Sequence, residues 1–205
     1  MKARYMIGTG LLAALSLGSP GQAAVPRATP PALAASCLSP VLRGDSAASI
    51  LRRFGVNARR ATLPGAEGKT IPGVVIYPRD PRRRMEVTFD NSRMMRVSSV
   101  SISGAHSLWS MGGLSLGDGI DKVIARNGRA FTFSGFDWDY GGFVTDLKGG
   151  ALQQLPGGCR MGIRLALPAN VTSTPDALMG DVQVESTNPA LRRVRPIVSE
   201  LILNF

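Results

Sequence analysis

Two segments of the chain, 73 residues apart, share one pattern and limit the folds that the chain can adopt. Residues 44–55 (GDSAASILRRFG) align without gaps on residues 117–128 (GDGIDKVIARNG), with identical glycines at both ends. Apolar residues recur three and four positions apart in each segment, as on one face of an amphipathic helix. Asp45 and Asp118 are suited to cap the helix starts, and the closing glycines are suited to end the helices. We therefore predict two equivalent helices of a tandem repeat; two unrelated helices with the same capping residues are the alternative.

Strand-like segments follow each predicted helix. After the first helix they cover residues 70–78, 84–90 and 95–103, with the loop RDPRRR between the first two. After the second helix come AFTFSGFDWDY, GFVTDL, GCRMGIRLALP and VRPIVSELILNF. We predict an α+β fold of two tandem repeats, each a short capped helix followed by a small antiparallel sheet. The first repeat is expected at residues 37–106 and the second at residues 107–205.

A helix that opens on Gly-Asp, has aliphatic residues at its centre and closes on glycine, followed by a small antiparallel sheet, resembles the SmpA/OmlA (BamE-like) envelope module. The duplicated form is similar to the beta-lactamase inhibitor protein fold. Residues 44–55 and 117–128 carry the resemblance, together with the type of the strands that follow. It implies a protein that binds a partner rather than one that catalyses a reaction. The chain departs from both families, because it has no good lipobox and its two cysteines allow one bridge, not one per repeat.

The first 23 residues have the layout of a secretory signal peptide. Lys2 and Arg4 precede an apolar stretch at residues 6–17, and the small residues up to Ala23 suit a cleavage site. The apolar stretch is shorter than the roughly 20 residues of a membrane-spanning helix. Residues 24–36 are rich in proline and alanine and are expected to form a leader. We predict an exported bacterial protein, periplasmic or secreted, without a membrane span.

Cys37 and Cys159 are the two cysteines of the chain. Export places them in an oxidising compartment, where a single disulfide is the simplest arrangement, and two unpaired buried thiols are the alternative. There is no C-x-x-C pair, which argues against redox activity.

Charge indicates the kind of partner. The formal net charge is +10, nearly all of it from arginines that occur in groups, such as the predicted basic loop Arg82, Arg83 and Arg84. An exported protein meets little nucleic acid, and no interleaved aromatic pattern suits stacking on single strands, so we expect no nucleic-acid partner. An envelope protein or an anionic envelope polymer is the expected partner. For the arginine groups themselves, a solvated basic surface without a partner is the alternative, and it is the one that we favour.

The stretch GFDWDYGG at residues 135–142 has the most distinctive chemistry. On a strand, Asp137 and Asp139 would lie on one face and the aromatic side chains on the other. Two carboxylates beside aromatic rings suit a glycan-active hydrolase or a carbohydrate-binding protein. The alternative, which we favour, is that the aromatic residues pack the sheet while the acids pair with arginines.

Together these patterns predict a non-catalytic binding protein of the bacterial envelope, with a glycan-directed protein using Asp137 and Asp139 as the alternative. Aromatic residues dominate binding contacts, so four of them are the candidate anchors: Trp138, Tyr140, Phe136 and Trp109. We expect no cofactor. We also expect no metal site, because His106 is the only histidine and sites built from several histidines are excluded.

Overall fold

The computed structural model describes residues 33–205. The predicted signal peptide and residues 24–32 of the predicted leader lie outside the described residues. In the part that the structure describes, no helix has the length and apolarity needed to cross a membrane.

Short strands dominate the described chain. In chain order the strands and helices are β1 (Leu33–Ala35), α1 (Ala47–Phe54), β2 (Ala58–Pro64), β3 (Thr70–Ile76), β4 (Met85–Phe89), β5 (Val97–Ser103), β6 (Trp109–Met111), β7 (Leu114–Ser115), α2 (Ile120–Asn127), β8 (Thr132–Ser134), β9 (Val144–Asp146), β10 (Arg160–Ala166), β11 (Gln183–Glu185), α3 (Leu191–Val194) and β12 (Ile197–Asn204).

The largest unit is a six-stranded antiparallel sheet in the order β10-β12-β5-β4-β3-β2. Alternate residues of a strand point to opposite faces, and here one face is apolar and almost fully buried. That face includes Val74 and Ile76 of β3, Val100 of β5, and Leu201 and Leu203 of β12. The opposite face has serine, threonine, glutamate and arginine side chains together with the buried Val75 of β3, so this side of the sheet is mostly polar.

The remaining strands form two three-stranded sheets, β1-β6-β7 and β11-β8-β9. Their apolar residues join those of the central sheet and both longer helices in one core. Cys37 and Cys159 form a disulfide with Cα atoms 5.5 Å apart, which confirms the predicted bridge. It ties the segment after β1 to the start of β10.

The two predicted helices are present and equivalent in length. α1 and α2 each have eight residues, and their bounds differ by the same 73 positions as the sequence segments. The predicted capping differs, because the N-cap residues are Ser46, which forms a capping box with Ser49, and Gly119, whose position has no side-chain cap. Gly128 ends α2 in the left-handed conformation, as predicted.

Each aspartate instead closes the turn that precedes its helix. Asp45 accepts the Leu42 N–H at 2.9 Å and donates its own N–H to the Leu42 carbonyl at 3.0 Å. Asp118 makes the same pair of bonds with Ser115, at 2.7 and 3.2 Å. The shared Gly-Asp sequence therefore encodes a shared turn, one residue earlier than a helix cap.

The predicted fold class is wrong. The structure is mostly sheet, with 37% strand and 16% helix, and it is not two repeats of a helix and a small sheet. The strands after α2 are divided between two sheets: β10 and β12 join the central sheet beside β5, while β8, β9 and β11 form a separate sheet of three-residue strands. The apolar strand β12 is the physical reason, because its place between β5 and β10 buries Val198, Leu201 and Leu203 in the common core.

The individual strand predictions hold better than the arrangement. All three strand segments predicted after α1 are found, with RDPRRR in the connection between β3 and β4. β2 was not predicted. It is an edge strand with two adjacent arginines, Arg59 and Arg60, and only Leu63 is buried, so its sequence lacks the alternation of a half-buried strand.

The turn aspartates provide a stability test. Burial alone would raise the pKa of the Asp45 carboxyl, but bonds from Arg53, Leu42 and Ser49 hold it below its ordinary value. We expect Asp45→Asn to lower the free energy of unfolding at pH 7 by about 2 kcal/mol, because a buried charge-assisted bond is lost. The depressed pKa makes this contribution present above about pH 4 and lost as the pH falls further.

Asp118→Asn is the matched control for the urea-unfolding measurement. Its partner Lys122 is exposed, so the expected loss is about 0.5 kcal/mol. Equal losses for the two variants would contradict the assigned role of Asp45.

The disulfide provides a second stability test. It closes a loop with a sequence separation of 122, so replacing both cysteines by serine is expected to lower the free energy of unfolding by about 4 kcal/mol. The wild-type protein in reductant should unfold at the same urea concentration as the double variant. An unchanged midpoint in both samples would show that the bridge does not stabilise the fold.

Candidate functional site

A β-bulge on β12 creates the most unusual feature of the polar face. Arg164 of β10 pairs with Glu200, whereas Leu165 pairs with Val198, so Ser199 is the extra residue. A bulge of this kind redirects side chains, and here two consecutive residues, Ser199 and Glu200, both line one cleft. Val198 and Leu201 on either side remain buried in the core. The bulge therefore allows β12 to pack the core and to present two polar side chains to the cleft.

Glu200 lies at the centre of a row of three strands. Its pairing partners are Arg164 on β10 and Ser103 on β5. Burial raises the pKa of the Glu200 carboxyl; the positive charge of Arg164 opposes this, and the negative charge of Glu86 adds to it. The carboxyl of Glu200 has no hydrogen-bond partner among residues 33–205. A half-buried carboxyl without a partner is the group in this cleft most open to a ligand.

The loop at residues 135–142 forms the wall of the cleft. Arg164 fixes it from the sheet: Nε donates to the Gly141 carbonyl at 2.9 Å and Nη2 to the Asp139 carbonyl at 3.2 Å. The Leu165 N–H donates to the Gly142 carbonyl at 2.8 Å. Gly142 has a φ of +79°, and a Cβ there would clash with the backbone oxygen of Leu165, so glycine is required for this close approach.

The cleft between this loop and the sheet has a volume of about 600 Å³. Its polar lining consists of Ser103, Asp137, Arg164, Ser199 and Glu200, and Trp138 adds an aromatic ring. This size is within the range of roughly 300–1,000 Å³ that is usual for small-molecule sites.

Two of the four predicted aromatic anchors are buried, and the other two are at least partly exposed. Phe136 is buried and packs on Phe133, with ring centroids 5.5 Å apart. Trp109 is also buried, and its indole N–H donates to the Arg83 carbonyl at 2.7 Å. Trp138 is half-buried and packs edge-on against the exposed Tyr140 at 5.4 Å. Only Trp138 and Tyr140 are therefore placed to meet a partner.

The two predicted carboxylates are also separated. The segment 135–142 is a loop and not a strand, with Asp137 in the left-handed region at a φ of 64°. Asp137 and Asp139 are both exposed, but only Asp137 lines the cleft. The acid that accompanies Asp137 in the cleft is Glu200, not Asp139.

The predicted basic loop lies in the connection between β3 and β4. Arg83 donates to Asp80 at 2.6 Å and lies over the ring of Tyr77, 4.4 Å from its centroid. The bond to Arg83 lowers the pKa of Asp80. Arg84 donates to Glu86 at 2.6 Å, whereas Arg82 is exposed and forms no ion pair within the described chain.

Sequence reasoning missed Glu200, Arg164 and Ser199. The available signal was a single acid within the apolar C-terminal run IVSELILN, where an unpaired carboxyl is unusual in a strand. Nothing in the sequence indicates the β-bulge that makes Glu200 accessible. Among residues 33–205, no group of three or more His, Cys, Asp or Glu side chains is placed to hold a metal ion.

No known protein family matches this chain, and no curated protein or solved structure matches it either. The resemblance to SmpA/OmlA modules and to the beta-lactamase inhibitor protein fold stays a prediction.

The raised pKa of Glu200 predicts an unusual pH dependence of stability. A carboxyl whose pKa is higher in the folded than in the unfolded chain destabilises the fold as the pH rises above about 4.3. We expect Glu200→Gln to unfold at a higher temperature than wild type at pH 7 and at the same temperature near pH 3.5. Glu185→Gln is the control, since Glu185 is exposed and pairs with Lys148. A gain for Glu200→Gln that is the same at both pH values would contradict the prediction.

Proposed function

We propose that this protein is an exported, non-catalytic binding protein of the bacterial envelope, and that its partner is an anionic envelope polymer. The proposal rests on the uneven distribution of charge along the chain. Residues 33–106 contain twelve Lys and Arg against five Asp and Glu, a net charge of +7, whereas residues 107–205 contain nine of each and are neutral. The excess positive charge belongs to one half of the described chain.

Much of this charge is not neutralised within the fold. Seven arginines of residues 33–106 form no ion pair with any described residue: Arg43, Arg52, Arg59, Arg60, Arg79, Arg82 and Arg93. Guanidinium groups without an acidic partner in the fold stay available to phosphate or carboxylate, and they bind these groups with matched geometry.

Four of these arginines belong to segments that meet at one end of the central sheet. Phe54 at the end of α1 packs edge-on against Tyr77, with ring centroids 6.0 Å apart, and the Tyr77 N–H donates to the Asn57 carbonyl at 2.6 Å. These contacts join the end of α1, the start of β2 and the loop after β3. We call this region the basic end, defined by Arg52, Arg59, Arg79 and Arg82.

A polymer fits the basic end better than a single anion does. An isolated exposed charge pair contributes little, about 0–1 kcal/mol. A polymer with repeated anionic groups engages several arginines at once, and each contact after the first is intramolecular. The layout of residues 1–23 as a signal peptide supports export, and the disulfide is compatible with an oxidising compartment.

Hydrolysis by Asp137 and Asp139 is not proposed. A pair of catalytic carboxylates has to flank one substrate bond. Asp139 does not line the cleft that contains Asp137, so this cleft does not bring the two carboxylates to one substrate.

Charge-matched variants test the proposal. In the test variant Arg59, Arg79 and Arg82 are replaced by glutamine, and in the control Arg160, Arg192 and Arg193 are; all six are exposed and both changes remove three charges. Binding to purified lipopolysaccharide and to lipoteichoic acid is measured by titration between about 50 and 200 mM salt. The test variant is expected to bind at least about tenfold more weakly, with a smaller dependence on salt.

The control is expected to bind within about twofold of wild type, because its arginines lie on the neutral half. Equal weakening in both triple variants would mean that net charge alone matters, and unchanged binding in the test variant would exclude the basic end. Wild-type protein that binds neither polymer would overturn the proposed partner.

A further inference from the structure

We propose that the cleft between the loop at residues 135–142 and the polar face of the sheet binds an uncharged sugar unit. The proposal does not depend on the anionic polymer. The cleft is lined by residues 103–200 and shares no residue with the basic end.

The polar side chains of the cleft have unused hydrogen-bonding capacity. The Glu200 carboxyl is half-buried without a hydrogen-bond partner among the described residues, and the Ser103 hydroxyl beside it is exposed. Ser199 Oγ donates to the Arg164 carbonyl at 3.1 Å, and its oxygen still has acceptor capacity. A ligand with several hydroxyl groups supplies donors and acceptors to all three side chains.

The charged groups of the lining disfavour an anionic ligand. Arg164 is the only basic residue of the cleft lining; two of its nitrogens donate to the loop, and its guanidinium lies 4.7 Å from the centre of the Phe143 ring. The other titratable groups of the lining are the carboxyls of Asp137 and Glu200. Glu86, on the same face of the sheet, adds negative charge and is itself paired with Arg84. An anionic ligand is repelled by these carboxyls and finds its one basic neighbour already engaged.

Burial also disfavours the ionised form of Glu200, which is why its pKa is raised. The carboxyl oxygens of Glu200 accept hydrogen bonds from hydroxyl groups. A charged ligand of either sign would have to bury its own charge in the cleft, so a neutral ligand with hydroxyl groups matches this environment better.

The aromatic ring of Trp138 is held in a fixed position at the cleft. The indole N–H of Trp138 donates to the Gly135 carbonyl at 2.9 Å, and the ring packs edge-on against Tyr140. The ring is therefore held in place before a ligand arrives, with part of its surface exposed. A pyranose ring has one largely C–H face and hydroxyls at its rim. It packs that face on an aromatic ring while the hydroxyls reach polar groups nearby.

Binding of neutral oligosaccharides tests the proposal. The full chain is titrated with cellotetraose and with the tetramer of N-acetylglucosamine, by calorimetry and by tryptophan fluorescence. We expect at least one of these probes to bind and to change the fluorescence, since Trp138 lies in the cleft while Trp109 is buried. Trp138→Ala and Glu200→Ala are each expected to weaken binding about tenfold or more.

Two further variants keep the result interpretable. Ser103→Arg places a long side chain at an exposed position of the cleft lining and should abolish binding without disturbing the core. The triple arginine variant of the basic end should bind the oligosaccharides as wild type does, so this proposal and the polymer proposal can fail separately.

Several outcomes would overturn the proposal. They are the absence of binding by both tetrasaccharides, binding that survives both Trp138→Ala and Ser103→Arg, and tighter binding of choline or tetragalacturonate to the same cleft. Choline would indicate a cation site and tetragalacturonate an anion site.

Discussion

The position of β12 between β5 and β10 is the interaction on which the rest of the structure depends. This strand pairs with a neighbour on each side and buries Val198, Leu201 and Leu203 in the core. Its first residues also hold the turn before α2, because the Gly117 N–H donates to the Val198 carbonyl and the Val198 N–H to the Asp118 carbonyl, both at 2.8 Å. One strand at the end of the chain thus unites the sheet, the second helix and the core.

The same strand determines the cleft. A regular β12 would place Ser199 and Glu200 on opposite faces, with one of them in the apolar core. An unpartnered glutamate in the core would be strongly unfavourable. The bulge avoids this by placing both side chains on the polar face. The burial that remains is enough to raise the pKa of Glu200, so one local irregularity links the packing of the core to the chemistry of the site.

Features that depend on residues close together in the sequence could be predicted, whereas features that depend on the pairing of distant strands could not. The eight-residue helices and their equal spacing depend on nearby residues, and the sequence indicated both. The disulfide was predicted from the presence of two cysteines and the expected export to an oxidising compartment. Strand pairing could not be predicted in this way. β12 pairs with β5 across about a hundred residues, and the sequence IVSELILN does not indicate that β5 is its neighbour. The cleft was missed for this reason: Glu200, Ser103 and Trp138 become neighbours only after that pairing.

The distribution of charge also differs from what stability alone would favour. Net charge of one sign repels itself and destabilises a compact chain, and the neutral balance of residues 107–205 avoids this cost. Residues 33–106 do not avoid this cost, because they contain only five acidic residues for twelve basic ones. All five do form ion pairs, so the seven remaining arginines are a true excess rather than a failure of pairing. This excess is the charge that the proposed anionic polymer would neutralise.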